Sequence, residues 1–165
     1  MRIITLIVLI LALTPALNAA DLDVSGLKTP RDKTVVGKRL LEWVRSLGYK
    51  VKLSDDGEDV FVYDTKLTLA PRITEDSIDR IVFYNQYKGK VGNKNNLELA
   101  AVISKLNTEL NSVSIFLSGD DVVFVADLVF DDTLTPRMIR LFMDSTNKSA
   151  EIVIKANSDL SKCIP

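Results

Sequence analysis

The stretch GDDVVFVADLVFDD, residues 119–132, constrains the fold more than any other part of this sequence. Its apolar residues recur with a period of two, which only an extended strand sorts onto faces. In a strand, Val122, Phe124, Ala126, Leu128 and Phe130 share one uninterrupted apolar face. That face needs a cover, and amphipathic helices elsewhere in the chain can supply it. Asp121, Val123, Val125, Asp127, Val129 and Asp131 fall on the opposite face. The aspartates thus stand at the two ends and once in the middle. Asp120 and Asp121 suit a tight turn, where a short carboxylate bonds its own backbone. Asp131 and Asp132 suit a loop before a helix start at Thr135. A metal site would need these carboxylates to converge. Asp120 and Asp132 instead lie near opposite ends of a strand roughly 30 Å long. Calcium-loop spacing is missing here and in SDDGED, so no metal ligands are assigned.

The outer face of this strand is the candidate binding surface. Val123, Val125 and Val129 are apolar yet point away from the helical cover, and such a patch marks a partner surface. The alternative is that a strand rim or the N-terminal segment covers them. Asp127, alone in mid-strand, would guard against open-ended sheet stacking.

The rest of the chain supplies the helices and further strands. Thr29-Pro30-Arg31-Asp32 reads as a helix start, with Val36, Leu40, Trp43, Val44 and Leu47 at helical spacing and Gly48 as the stop. YKVKLS (49–54), DVFVYD (59–64), KLTLA (66–70, halted by Pro71) and SIDRIVFYNQY (77–87) read as strands. Asn95 and Glu98 form a capping-box pattern ahead of a helix with Leu99, Val102, Ile103, Leu106 and Leu110 on one face. VSIFLS (113–118) is the hairpin partner of the long strand. A last helix starts at Thr135-Pro136 and continues through Ile139, Phe142, Met143, Thr146, Ala150 and Val153. The expected class is therefore α+β. An antiparallel sheet of about five to six strands packs with three helices, in the order α-β-β-β-α-β-β-α or with a fourth strand in the first run. LSDDGEDVFVYD and LSGDDVVFVADL echo each other as strand, acidic turn, strand, which supports the two hairpins.

Residues 1–20, MRIITLIVLILALTPALNAA, have the charged start, short apolar run and small-residue end of a cleaved export signal. The expected cut is after Ala19 or Ala20, and the expected location periplasmic or secreted. The apolar run is too short to span a bilayer, so no membrane association is expected after cleavage. Residues 21–29 read as a flexible lead-in, 30–156 as the domain and 157–165 as a tail.

Residue types narrow the chemistry. There is no histidine, which removes Ser-His-Asp and Cys-His catalysis and the usual zinc sites. A net charge of -1 gives no drive toward nucleic acid. Catalytic residues and cofactors are assigned as none. Cys163, the single cysteine, is either inert or links two chains through a disulfide. KGKVGNK (88–94) is a solvated loop or an anion cradle, without Walker spacing. Trp43 and Tyr84 are core or boundary residues before they are ligand platforms. Asn147-Lys148-Ser149 is a glycosylation triplet only in a eukaryotic secretory pathway.

The segment ELAAVISKLNTELNSVSIFLSGDDVVFVADLVFDDTLTPRMIRLFMDS resembles the YbjN-like bacterial proteins. The resemblance lies in the helix with Leu106-Asn107, the strand and acidic turn, the long apolar strand and the helix after Thr135. It covers about residues 30–155 and is clearest over 93–145. It implies a fold like the type III secretion chaperones, often dimeric, and a role in sensory transduction regulation without established catalysis. No site residue carries over. The familiar members act inside the cell, whereas this chain opens with an export signal. Three functional expectations follow. The first is an exported, non-enzymatic protein that binds an as yet unidentified protein, or itself as a homodimer, through a sheet face. The second is a small envelope enzyme using Asp79, Asp127, Tyr84 and Lys88. The third is an inhibitor of an envelope enzyme presenting KGKVGNK.

Overall fold

A computed structural model describes residues 22–23, 32–73, 78–111, 113–130 and 133–164. The segment read as an export signal, residues 1–20, the Thr29-Pro30-Arg31 start and Asp131–Asp132 lie outside these residues.

In chain order the elements are β1 (Leu22–Asp23), α1 (Asp32–Ser46), β2 (Val51–Leu53), β3 (Val60–Val62), β4 (Leu67–Ile73) and β5 (Ile78–Tyr87). A 3-10 turn (Asn93–Asn95) leads into α2 (Leu97–Glu109), β6 (Ser114–Ser118), β7 (Asp121–Val129), β8 (Thr133–Leu134), α3 (Pro136–Ala156) and α4 (Ser158–Cys163). Six strands form one antiparallel sheet in the order β2-β3-β4-β5-β7-β6. The α+β class and antiparallel sheet expected from the sequence are what the chain adopts. No helix among the described residues is long and apolar enough to cross a membrane.

β7 runs through the middle of the C-terminal half, between β5 and β6. Val122 and Phe124 are fully buried, and Ala126, Leu128 and Phe130 nearly so. Burying one such aromatic ring contributes about 2–3 kcal/mol. The helices cover this face in two adjoining clusters. Val36, Leu40, Trp43 and Val44 of α1 meet Ile139 and Met143 of α3 above Leu69, Ile81 and Phe83. Leu99 and Ile103 of α2, Ala150 and Val153 of α3 and Leu160 of α4 pack above Ile115, Val122 and Phe124. Trp43 is thus core, as its helical spacing indicated. Gly37 lets α1 close on the β2–β3 turn, since a Cβ there would lie 2.5 Å from the Glu58 carbonyl oxygen.

Helix α3 is capped as read: the Thr135 hydroxyl accepts from the Met138 N–H at 3.2 Å, and Pro136 opens the first turn. For α2 the cap is one residue later than expected. Asn96, not Asn95, accepts from Leu99 N–H at 3.0 Å, because Asn95 closes the preceding 3-10 turn. β4 also passes through Pro71, where it was expected to halt. Pairing with β3 ends at Leu69, so a residue lacking an N–H is tolerated on that open side, and a bulge follows between Arg72 and Ile73.

Both chain ends hold more structure than their composition suggested. Within 21–29, Leu22 and Asp23 pair with Leu134 and Thr133. Within 157–165, α4 forms. The Asn157 side chain caps it by accepting from Asp159 and Leu160 N–H, and Leu160 is fully buried. A single apolar residue on a one-turn helix carries no periodic signal, so sequence alone showed a tail.

The outer edge of β6 is closed by a side chain. The Asn107 amide donates to the Ile115 carbonyl at 2.7 Å and accepts from its N–H at 2.8 Å. Helix α2 thereby fills a place on the strand edge that another chain could otherwise take. Asn107→Ala should lower unfolding stability by about 1–2 kcal/mol, two ordinary hydrogen bonds' worth, read as a lower urea midpoint. An unchanged midpoint would show that water replaces the amide at no cost.

Candidate functional site

Among the described residues, the helices that pack on the six-stranded sheet lie on one face, and the opposite face is the candidate site. Strand registers place Arg80, Val82, Tyr84 and Gln86 of β5 on it beside Val129, Asp127, Val125 and Val123 of β7. Ser114 and Phe116 of β6 extend it on one side, and Thr68, Ala70 and Arg72 of β4 with Phe61 of β3 on the other.

The three valines singled out from the sequence differ in exposure. Val129 is 69% exposed, Val125 is half-buried and Val123 only 5% exposed. Val123 therefore offers no accessible surface. It lies between Gln86 and Phe116, and the Gln86 amide crosses to the Asp121 carboxylate at 2.7 Å in the adjacent row. β6 pairs with β7 only as far as Val125, so Asp127 and Val129 stand on a free strand edge. Both are exposed, which suits the charge to an edge-guarding role. Alternation alone missed Phe116, at 43% exposure, and Phe61 and Tyr63, at 36% and 59%. Their signal was present in DVFVYD and SIFLS, which carry apolar residues at both parities.

An arginine arches over the middle of the face. Arg72 donates to the Tyr84 hydroxyl at 2.8 Å, and its guanidinium carbon lies 5.8 Å from the ring centre. To do so it crosses the Ala70–Val82 row, both members of which are buried on the face away from the helices. Tyr84 is thus a boundary residue with a satisfied hydroxyl.

The aspartates at the start of β7 hold a loop. Asp121 accepts from Lys88 at 3.0 Å, Gln86 at 2.7 Å and Gly89 N–H at 3.1 Å. Asp120 accepts from the Gly92 and Lys94 N–H groups at 3.2 and 3.1 Å. The buried Asn93 amide then joins the Asp120 and Cys163 carbonyls, both at 3.0 Å. The anion cradle of KGKVGNK exists, but the chain's own carboxylate fills it. Gly89 packs against the turn so closely that a Cβ would collide with the Asp120 carbonyl oxygen. The Cys163 thiol is free and half-buried against the α2–α3–α4 core.

Of the residues of the enzyme reading, Tyr84 and Asp127 stand in neighbouring rows of one face, and Lys88 does not join them. Lys88 is bound to Asp121 at the far end of β5 from the row of Asp127. Asp127 borders a different groove, with Leu110, Val113 and Ser114. Asp79 lies on β5, with its side chain outside the described residues. Among the described residues no group of three or more acids or cysteines could hold a metal ion.

A family model described as "Putative bacterial sensory transduction regulator", YbjN, matches residues 37–156, well over half of the chain. The chain belongs to the YbjN family. Its fold is similar to the crystal structure of YbjN from E. coli, described as "a putative transcription regulator", with a TM-score of 0.62. Identity is 16%, and the match covers 78% of this chain and 94% of that one, so the likeness is one of fold. No curated protein matches the sequence. The YbjN description names a regulator and not an enzyme.

Hydrogen bonds from Gly89, Lys88 and Gln86 hold the Asp121 carboxyl below its ordinary value of 3.8. A depressed folded value means the carboxylate's contribution is complete above 3.8 and disappears as the pH falls through the lower folded value. Asp121→Asn should lower the urea midpoint at pH 6, and the gap to wild type should close as the pH drops below 3.8. A gap that is constant with pH would show that the carboxylate charge is irrelevant to the clamp.

Proposed function

We propose that this YbjN-family chain is exported, loses residues 1–20, and acts by binding another protein through the helix-free sheet face, without catalysing a reaction. The observation that carries this reading is the one-sided cover of the sheet. The helices pack on one face, while Phe116, Val129, Phe61 and Tyr63 stand exposed on the other. Exposed aromatic side chains on a rigid sheet are common anchors of protein interfaces. The export signal, the lack of histidine and the regulator description of the family support the same reading.

The favoured occupant is a different protein. A two-fold contact centred on the outer row of β7, at Asp127 between Val125 and Val129, would bring two Asp127 carboxylates together, and like charges at an interface are costly. A homodimer is the competing outcome.

Photo-crosslinking residues at Phe116 and Val129 test this in the native envelope fraction, with Leu141 and Ile152 on α3, also exposed, as controls. Adducts to another protein should form from the sheet positions and not from α3. The protein recovered there should begin at Ala20 or Asp21. No adduct, equal adducts from α3, or a chain retaining its first twenty residues in the cytosol would each overturn the corresponding part of the proposal. An adduct of twice the chain mass would replace the foreign partner with a second copy.

A further inference from the structure

The helix-free face ends, at its β2–β4 side, in a groove of about 510 Å³ lined by Lys52, Phe61, Tyr63, Lys66, Gln86 and Lys88 among others. Its charge is one-sided. Three ammonium groups and no carboxylate line it. Among the described residues neither Lys52 nor Lys66 has an ion-pair partner. Lys88 is tied to Asp121 but remains 84% exposed. The whole chain has a net charge of -1, so this cluster does not reflect a generally basic surface. The groove floor is aromatic. Phe61 and Tyr63 lie two residues apart at β3 and its end, on one side of the sheet, and both are exposed.

Among the described residues β2 is the terminal strand of the sheet, and the edge beside the groove is open. Tyr63 N–H donates to the Lys50 carbonyl and Ser54 N–H to the Asp59 carbonyl. By the two-residue alternation of an antiparallel ladder, Lys50, Lys52 and Ser54 bond inward to β3. The backbone N–H and C=O groups of Val51 and Leu53 therefore face the free edge.

We infer that this groove takes an extended acidic segment of a partner protein. The segment lies along the β2 edge and turns alternate side chains over the face. Its carboxylates meet Lys52 and Lys66, an apolar side chain rests on Phe61 and Tyr63, and Lys88, three strands further in at the end of β5, adds only its positive field. Residues two apart in an extended ligand are spaced like Phe61 and Tyr63 themselves, at about 6.6 Å. The shallow, open shape does not enclose a small molecule as ligand pockets do. A nucleic acid would meet three lysines on a chain of net negative charge, which gives little of the counterion-release drive such binding needs. The inference rests on the reading of the sheet face as a binding surface.

An NMR titration of the purified protein tests it with three probes. These are an eight-residue peptide whose odd positions run glutamate, tyrosine, glutamate, valine with threonine between them, its glutamine counterpart, and an oligothymidylate of eight nucleotides. The glutamate peptide should shift amide signals of β2, β3 and the turn before β4, and bind at least tenfold more tightly than the glutamine peptide. Lys52→Glu with Lys66→Glu should weaken it at least tenfold while leaving the fold's spectrum intact elsewhere. Equal binding of both peptides, signals that move only outside the groove, no binding, or preference for the oligonucleotide would overturn the inference. Crosslinks from Phe116 and Val129 that persist in the double Lys variant would confine the failure to this groove. Their absence in wild type would instead remove the reading of the face.

Discussion

The architecture depends on the alternation along β7. A strand flanked by neighbours on both sides has one row of side chains for each face, and no slip of a single residue is tolerated without exchanging them. Val122, Phe124, Ala126, Leu128 and Phe130 fill the row under the helices, and α2, α3 and α4 have their amphipathic faces because that row needs cover. Among the described residues the other row has no helix to meet, and Val129 and Phe116 are exposed on it.

The acidic punctuation of the same strand fixes its start. Asp120 and Asp121 draw in the Gly89, Gly92 and Lys94 N–H groups, and through Asn93 and Lys90 they reach the end of α4. A turn that looked local is the junction of three segments. The donors of this lysine- and glycine-rich loop are occupied by the protein's own carboxylates.

Much of this was legible in the chain because short-range patterns carried it. The period-two row of β7, the Thr135-Pro136 cap and the Val36–Leu40–Trp43 stripe each follow from spacing alone. What spacing did not show depended on partners distant in sequence. Val123 looked exposed because its parity is outward, and only the registers of β5 and β6 bring Gln86 and Phe116 over it. Pro71 looked like a stop because nothing local reveals that β3 ends before it. Leu160 looked like part of a tail because its burial comes from α2 and α3. The lysine groove draws on β2, β3, the turn before β4, and the end of β5, four segments that no window of sequence joins.

The claim beneath all of this is that one sheet face is sealed and the other open. Thiol labelling in a Cys163→Ser background measures it directly, using Val122→Cys and Ala126→Cys on the inner row and Phe116→Cys and Val129→Cys on the outer. The outer thiols should react within about tenfold of their unfolded rates, and the inner ones only through opening, slower by roughly a thousandfold or more. Outer thiols as protected as the inner ones in dilute, isolated protein would contradict the account.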